Sequence, residues 1–384
     1  MDAARRIFAE LAIPRVTVEA VVRSEAHERQ ITGRETSMIA ADEPTLADKV
    51  EFLSRADAYS HAVGELIRRE THMSWVFLAG DKVYKLKKPV RFPYLDFSTL
   101  GRREAACRAE FSLNRRLAPD VYIGVVPLVA APQGLSLGAE GRIVDWLVVM
   151  HRLDDRWALE QVVHEGRLET SQLDRLVTTL VRFYRRARPA FVSPGFHLAE
   201  WSKNLTANRR VLLDARFGLP QGLIRGVDRI QSRFVTECRG SLAARVQDRR
   251  IVDGHGDLRP EHVWLDHEVK IIDCLEFNTR LRTVDPFDEI AYLSLECERQ
   301  GVAWAGQYIR KGVERGLHED LPAELFLFYR CYRATLRARL AIAHLFEAKP
   351  RTPEKWPRLA RSYLDIAARD AAKLEAVLRR RGGR

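Results

Sequence analysis

The run Asp253, Gly254, His255, Gly256, Asp257, Leu258, Arg259, Pro260, Glu261, His262 places two glycines, a proline and a row of ionisable side chains between apolar stretches. Such a segment makes a poor core element. Its glycines permit a tight backbone path, and a carboxylate held on that path, Asp257, can take the proton of an incoming hydroxyl, with His255 beside it. The chain then continues Val263, Trp264, Leu265, a polar turn at Asp266, His267 and Glu268, and Val269 to Asp273. If these runs pair about a turn centred between His267 and Glu268, His262 faces Asp273. Cross-strand Cβ atoms lie roughly 4.5 to 5.5 Å apart, so both side chains can reach one divalent cation. The plainer reading is that His255 and Asp257 cap a turn and that His262 and Asp273 bond to each other. The hairpin and the acidic cluster behind it favour chemistry.

The elements that must position this island read as two parts. Residues 1–45 show no strong period and stand as an extension of uncertain order. From Thr45 to Arg69 apolar residues recur at helical spacing (Leu46, Val50, Leu53), followed by a more extended stretch. A strand over 75–79, a turn at Gly80 and Asp81, and a second strand over 82–88 form a hairpin signature. A helix is expected from Thr99 to Leu117, closed by Pro119, then strands near 122–129 and 143–150. After Leu153 the pattern changes to long helices, about 155–164, 170–187, 196–213, 220–246, 287–315 and 321–346, interrupted by the strand-rich island at 251–277. This gives an α+β protein: a sheet part over 46–153 with one helix, and a mainly helical part over 154–384.

HGDLRPEH followed by IIDCLEF resembles the catalytic loop and metal-binding segment of aminoglycoside phosphotransferases and their relatives in the protein-kinase-like superfamily. ETHMSWVFLAGDKVYKLKKPV, YLDFSTL and LNRRLAPDVY extend the likeness, over about residues 46 to 345, to an uncharacterised bacterial branch of that family, whose members often carry an additional P-loop kinase domain that this sequence ends without. The resemblance implies a bilobal fold, with a small antiparallel sheet lobe that binds nucleotide and a larger helical lobe. It makes Asp257 the catalytic base and Asp273 and residue 262 the ligands of Mg²⁺ or Mn²⁺. The segment from Val284 to Ala291 resembles the helix start after the metal loop, with Asp285 or Asp288 bracing the catalytic loop. One departure stands out: the family usually has Asn where this chain has His262, and imidazole is a poorer ligand for Mg²⁺ than for Mn²⁺.

A kinase-like site further needs a lysine for the nucleotide phosphates and a helix glutamate to hold it. Lys85, central in its strand, is the first choice, with Lys87 on the same face as the alternative. Glu110 lies on the apolar stripe of Ala106, Leu113 and Leu117, and a carboxylate there wants a partner. Thr71 and Ser74, in the turn before the sheet hairpin, offer hydroxyls and amides to phosphate. Backbone groups near Met150, within 148–151, would meet the base of ATP or GTP.

With 384 residues and 46% hydrophobic content, the chain can form two or three compact units. No apolar run of about 18 residues occurs, and the charged start from Met1 to Arg6 lacks the features of a secretory signal, so a cytoplasmic location is expected. Five widely spaced cysteines read as buried, reduced thiols. Of the net charge of +11, nearly all falls after Arg330, where 15 Lys and Arg stand against 5 Asp and Glu. That segment reads as a solvated face on packed helices, with nucleic-acid binding as a rival. The leading expectation is a phosphotransferase acting on a small-molecule hydroxyl, with no membrane partner and none in nucleic acid. A nucleotide-binding pseudokinase with a regulatory role is the alternative that His262 raises. A cationic acceptor would require carboxylates, for which Glu276, Glu289 and Glu296 are candidates.

Overall fold

A computed structural model describes residues 43–92, 94–138, 140–346 and 352–382; the extension expected over 1–45 thus falls almost wholly outside the described residues. The chain divides into two compact units: one comprises residues up to Arg108 together with Ile123–Arg152, the other Ala109–Tyr122 together with Leu153–Arg384.

The first unit opens with α1 (Leu46–Leu53), started by a capping box in which the Thr45 hydroxyl accepts from the Asp48 amide and the Asp48 carboxylate accepts from the Thr45 amide. Strands β1 (Leu66–Glu70), β2 (Ser74–Ala79) and β3 (Lys82–Lys87) follow; β4 (Arg91–Phe92) and β5 (Leu95–Asp96) form a small ribbon before α2 (Leu100–Asn114). Strands β6 (Tyr122–Ala131), β7 (Gly134–Leu137) and β8 (Arg142–His151) complete a sheet of order β1-β2-β3-β8-β6-β7. The β2-β3 hairpin has the two-residue turn expected at Gly80 and Asp81; β1 was not resolved as a strand in the sequence pattern, since two of its five residues are arginines. Alternation puts Tyr84 and Leu86 into a core with Phe77, Leu128, Leu147 and Val149.

On β8 the buried Asp145 accepts from Lys49 Nζ of α1 at 2.9 Å and from Arg103 Nε of α2 at 2.7 Å. One carboxylate therefore fastens both helices to the sheet.

The second unit is helical: α3 (Leu159–His164), α4 (Thr170–Arg186), α5 (Pro194–Leu212), α6 (Gln221–Glu237) and α7 (Arg239–Gln247) precede the island, and α9 (Pro286–Arg299), α10 (Ala303–Leu317), α11 (Ala323–Ala343) and α12 (Lys355–Gly382) follow it. Within the island lie β9 (Val252–Asp253), β10 (Val263–Trp264), β11 (Lys270–Ile271), α8 (Thr279–Arg282) and β12 (Thr283–Val284). Two helices read as continuous are broken, at Cys238 and at Gly301, which takes φ +87° just past the end of α9.

The basic C-terminal segment turns much of its charge inward. Arg330 pairs with Asp370 at 2.9 Å, Arg333 with Asp288 at 2.6 Å and Arg337 with Glu296 at 3.1 Å, fixing α11 to α9 and α12. These three arginines are core ties, while Lys355, Arg358, Arg361, Arg369, Lys373, Arg379, Arg380 and Arg381 are exposed, the solvated face on packed helices that the sequence pattern suggested. All five cysteines are buried and free, as expected. Among the described residues no helix is long and apolar enough to cross a membrane.

Removing one partner of a buried ion pair strands the other charge, at a cost of about 3–5 kcal/mol. Asp145→Ala, which strands two, is expected to lower unfolding free energy by at least that amount in urea titration, whereas Asp57→Ala, at an exposed pair with Arg55, is expected to change it by less than about 1 kcal/mol.

Candidate active site

The island is held open by its neighbours within the second unit. β9 pairs antiparallel with β12, and the Gly254 amide donates to Arg282 O at 2.8 Å. The chain then turns through Gly256 at φ +90°, where a Cβ would stand 2.9 Å from Leu275 Cδ1; both the conformation and the space exclude a side chain. Glu289, in the first turn of α9 and fully buried, accepts the His255 amide at 2.9 Å and the Gly256 amide on Oε1, and the Tyr184 hydroxyl at 2.9 Å on Oε2. Burial pushes its carboxyl up to about 7, although the Gly256 amide and the Tyr184 hydroxyl pull the other way.

On the other side Arg116 donates to Asp253 O at 2.9 Å and Gly254 O at 2.8 Å, and the buried Asn114 accepts the Cys274 amide at 2.8 Å. The C-terminal end of α2 thus holds the backbone both before and after the hairpin.

Asp257 follows at the tip, its side chain 23% exposed. Tyr292 of α9 donates to Oδ1 at 3.2 Å, and Arg259 Nη2 stands 3.0 Å from Oδ2. Burial works against its charge, but the Arg259 and Arg337 guanidiniums outweigh it and hold the carboxyl below its usual range. The result is an oriented carboxylate that stays ionised at neutral pH.

His255 points inward. Its Nδ1 accepts the Asp257 amide at 3.3 Å, so Nε2 carries the proton and donates to Ile272 O at 2.9 Å. Burial, aided by His262, lowers its pKa to about 4. A neutral ring with both nitrogens engaged positions Asp257 and ties the loop to the hairpin.

The hairpin register differs by one residue from the expected pairing. Val263 faces Ile271 and Trp264 faces Lys270, so His262 lies opposite Ile272, whose amide donates to His262 O at 3.0 Å. The turn centres on His267, where the sequence reading put it half a residue later. His262 and Asp273 nevertheless meet, Nε2 to Oδ2, at 3.5 Å: Asp273 takes φ +64°, leaving extended geometry just past the ladder.

The residues do not fit the metal site that the resemblance implies. His262 Nδ1 donates to Asp257 O at 2.9 Å, which leaves Nε2 as the only lone pair, and Arg259 Nη2 donates to it at 3.1 Å. A guanidinium has no acceptor capacity, so the direction of that bond is fixed. Asp273, with a side chain 47% exposed, is the remaining candidate ligand of the two. Among the described residues no group of three or more His, Cys, Asp or Glu side chains is placed to hold a metal.

Other expected residues fall out as follows. In the first unit Lys85 is half-buried in β3, across from Val76 on β2 and Val148 on β8, while Lys87 is fully buried with its ammonium 4.9 Å from the Phe97 ring centre. Met150 is buried on β8, across from Val83. The Thr71 hydroxyl donates to Ser74 O and accepts the Ser74 amide, and the Thr71 amide also donates to Ser74 O, so both Thr71 donors and the Ser74 amide close their own turn. In the second unit Glu110 is buried in α2.

The loop brace is Glu289, not Asp285 or Asp288. Asp285 caps α9 and binds Arg245, and Asp288 binds Arg333. Glu289 and Glu296 are both buried and engaged, so neither serves a cationic acceptor. Arg259, Tyr292, Arg116 and Asn114 were missed as site residues. An (i, i+3) reading of the α9 start would have put Tyr292 on the same face as Glu289.

A carboxyl whose pKa rises from 4.5 to about 7 on folding keeps its proton longer in the folded state, so stability falls as pH rises across that window and the penalty is complete above it. Glu289→Gln keeps an acceptor for the two amides and cannot ionise. Relative to native it should gain on the order of 3 kcal/mol between pH 4.5 and 8 in urea titrations. Glu289→Ala, which orphans both amides, is expected to lose about 2–5 kcal/mol across the whole range.

No family model matches the chain. Two curated relatives, both named as uncharacterized proteins, from Mycobacterium tuberculosis (strain H37Rv) and Mycobacterium bovis, are 34% identical over 288 residues, 73% of this chain. The chain spans about half the length of these relatives, 56%. Among solved structures, a choline/ethanolamine kinase family protein from Mesorhizobium loti is similar at 15% identity and a TM-score of 0.47, over 85% of this chain and 98% of that one. An aminoglycoside phosphotransferase from Streptomyces rimosus, solved with ADP and streptomycin, is similar at 15% identity and a TM-score of 0.43, over 75% and 98%. The chain is an α+β protein, and the solved structures it is similar to include an aminoglycoside phosphotransferase and a choline/ethanolamine kinase family protein.

Proposed function

We propose that this chain is a phosphotransferase that moves the terminal phosphoryl group of ATP or GTP to a hydroxyl of a small molecule, with Asp257 as the base. The observation that carries this reading is Asp257 itself: an ionised carboxylate at the tip of a braced glycine loop, oriented by Tyr292 and Arg259 and open on one side. In the reaction the acceptor oxygen forms a bond to the terminal phosphorus as the bond from that phosphorus to the bridging oxygen breaks. The acceptor proton passes to Asp257, and the nucleoside diphosphate leaves. A carboxylate this acidic is a weak base, which suits phosphoryl transfer, where positioning outweighs proton abstraction.

His255 and Glu289 fix the loop, and the reading keeps Lys85 for the phosphates, Glu110 as its helix glutamate and the backbone around Met150 for the base. Thr71 is not carried forward, because its donors are engaged in its own turn, which leaves the Ser74 hydroxyl for the phosphates. Acceptor chemistry is not assigned from Glu289 or Glu296, since both serve the scaffold.

A second reading, a nucleotide-binding protein without turnover, is favoured by one observation: the His262 lone pair is occupied by Arg259. A nucleotide-consumption screen over hydroxylated metabolites, amino sugars and antibiotics, with Mg²⁺ and with Mn²⁺, separates the two. Phosphotransfer predicts acceptor-dependent turnover that falls by about 10²–10⁴-fold in Asp257→Asn with KM for nucleotide little changed. Calorimetric nucleotide binding with no Asp257-dependent turnover under either metal overturns it in favour of the second reading.

A further inference from the structure

We infer that His262 is a positioning residue for Arg259, whose guanidinium takes the place of a second divalent cation beside Asp257, so that the site engages one divalent ion, through Asp273. This deepens the phosphotransfer reading and rests on it.

The geometry leaves little latitude. Arg259 touches Asp257 Oδ2 with Nε at 3.1 Å and Nη2 at 3.0 Å, and its Nη1 lies 3.4 Å from Glu261 Oε1. The same Nη2 is 3.1 Å from His262 Nε2, the ring nitrogen whose lone pair alone remains free to coordinate. A divalent ion on that nitrogen sits about 2.1 Å from it, along the lone pair. The lone pair is directed at the guanidinium, so the ion and Nη2 would compete for one position, two cations in contact. Only one of them fits.

Arg259 is also tethered more firmly than an exposed arginine. Two carboxylates and one imidazole fix its planar fork, and the 3₁₀ turn at Pro260–His262 places residues 259 and 262 on the same side. A fixed positive charge within 3.1 Å of the base supplies what an ion at this position would supply: neutralisation of charge on the group being transferred. Histidine in place of the family's asparagine fits this assignment. Imidazole presents a single in-plane acceptor to the guanidinium while its Nδ1 proton holds the Asp257 carbonyl.

The test is the coordination of Mn²⁺, read by pulsed electron paramagnetic resonance, in the full chain with and without ADP. In the native protein the Mn²⁺ signal is expected to lack the nitrogen modulation of a bound imidazole. Arg259→Met keeps the aliphatic stem and removes the guanidinium; it is expected to bind a second Mn²⁺ per chain and to show imidazole modulation, which disappears in the Arg259→Met, His262→Gln double variant. Imidazole modulation in the native protein that is abolished by His262→Gln overturns the proposal. So does an Arg259→Met chain that gains no ion, since the guanidinium then occupies no cation site. Should Arg259→Met not fold, the native spectrum alone decides whether His262 binds metal. The phosphotransfer reading is scored separately, by the acceptor-dependent turnover of the native chain against Asp257→Asn.

Discussion

One carboxylate carries the catalytic loop. Glu289 accepts two consecutive backbone amides, His255 and Gly256, and a tyrosine hydroxyl, in a place where no water reaches it. Consecutive amides point the same way only when the backbone turns sharply, and the turn requires the positive φ of Gly256. Glycine and glutamate are therefore two halves of one device. With the turn fixed, the Asp257 amide meets His255 Nδ1, the histidine proton meets the hairpin, and the Asp257 carboxylate is delivered to the tip with its direction set.

The helix that bears Glu289 must itself be immobile, and its charges explain how. α9 is buried at nearly every position yet carries Asp288, Glu289, Glu296 and Glu298. An acidic helix in a core survives only if cations are brought to it. The basic segment after Arg330 brings them: Arg330 to Glu298 and Asp370, Arg333 to Asp288, Arg337 to Glu296. Part of the charge excess that could have signalled a nucleic-acid surface is thus counter-charge for this acidic helix. Tyr363 of α12 donates to Glu296 as well, so the last helix belongs to the same network.

What was legible in the sequence follows from range. Local signals worked: the turn at Gly80 and Asp81, and the helical periods of α4 and α5, all depend on neighbours a few residues apart. The loop chemistry was readable because Asp257, His255 and His262 crowd into one segment. The failures were relational. A hairpin of two-residue strands has too few pairs to fix its register, so the expected pairing slipped by one residue and only the backbone turn at Asp273 kept the carboxylate near His262. Glu289 was indistinguishable from Asp285 and Asp288, because three acids in one helical turn differ only in what lies opposite them. Arg259 looked like a loop arginine until its fork was seen against both Asp257 and His262.

The electrostatics of Asp257 bear on where catalytic power can come from. Arg259 and Arg337 hold the carboxyl down despite its burial, so its affinity for a proton is low. A strong base would need the opposite balance, in which burial outweighs every group that favours the charge, as it does at Glu289 nearby despite the Gly256 amide, the Tyr184 hydroxyl and Arg333. The two carboxyls differ in pKa direction for that reason, and their work divides accordingly: the one that holds a proton more readily is the structural brace, and the one that stays charged is the base of the proposed transfer. A weak base contributes by aligning the hydroxyl and taking its proton late, once the bond to phosphorus has largely formed. Under that regime a small displacement of Asp257 costs more than a change in its basicity, which is why six side chains (Glu289, Tyr184, His255, Arg116, Asn114 and Tyr292) are committed to holding one loop still.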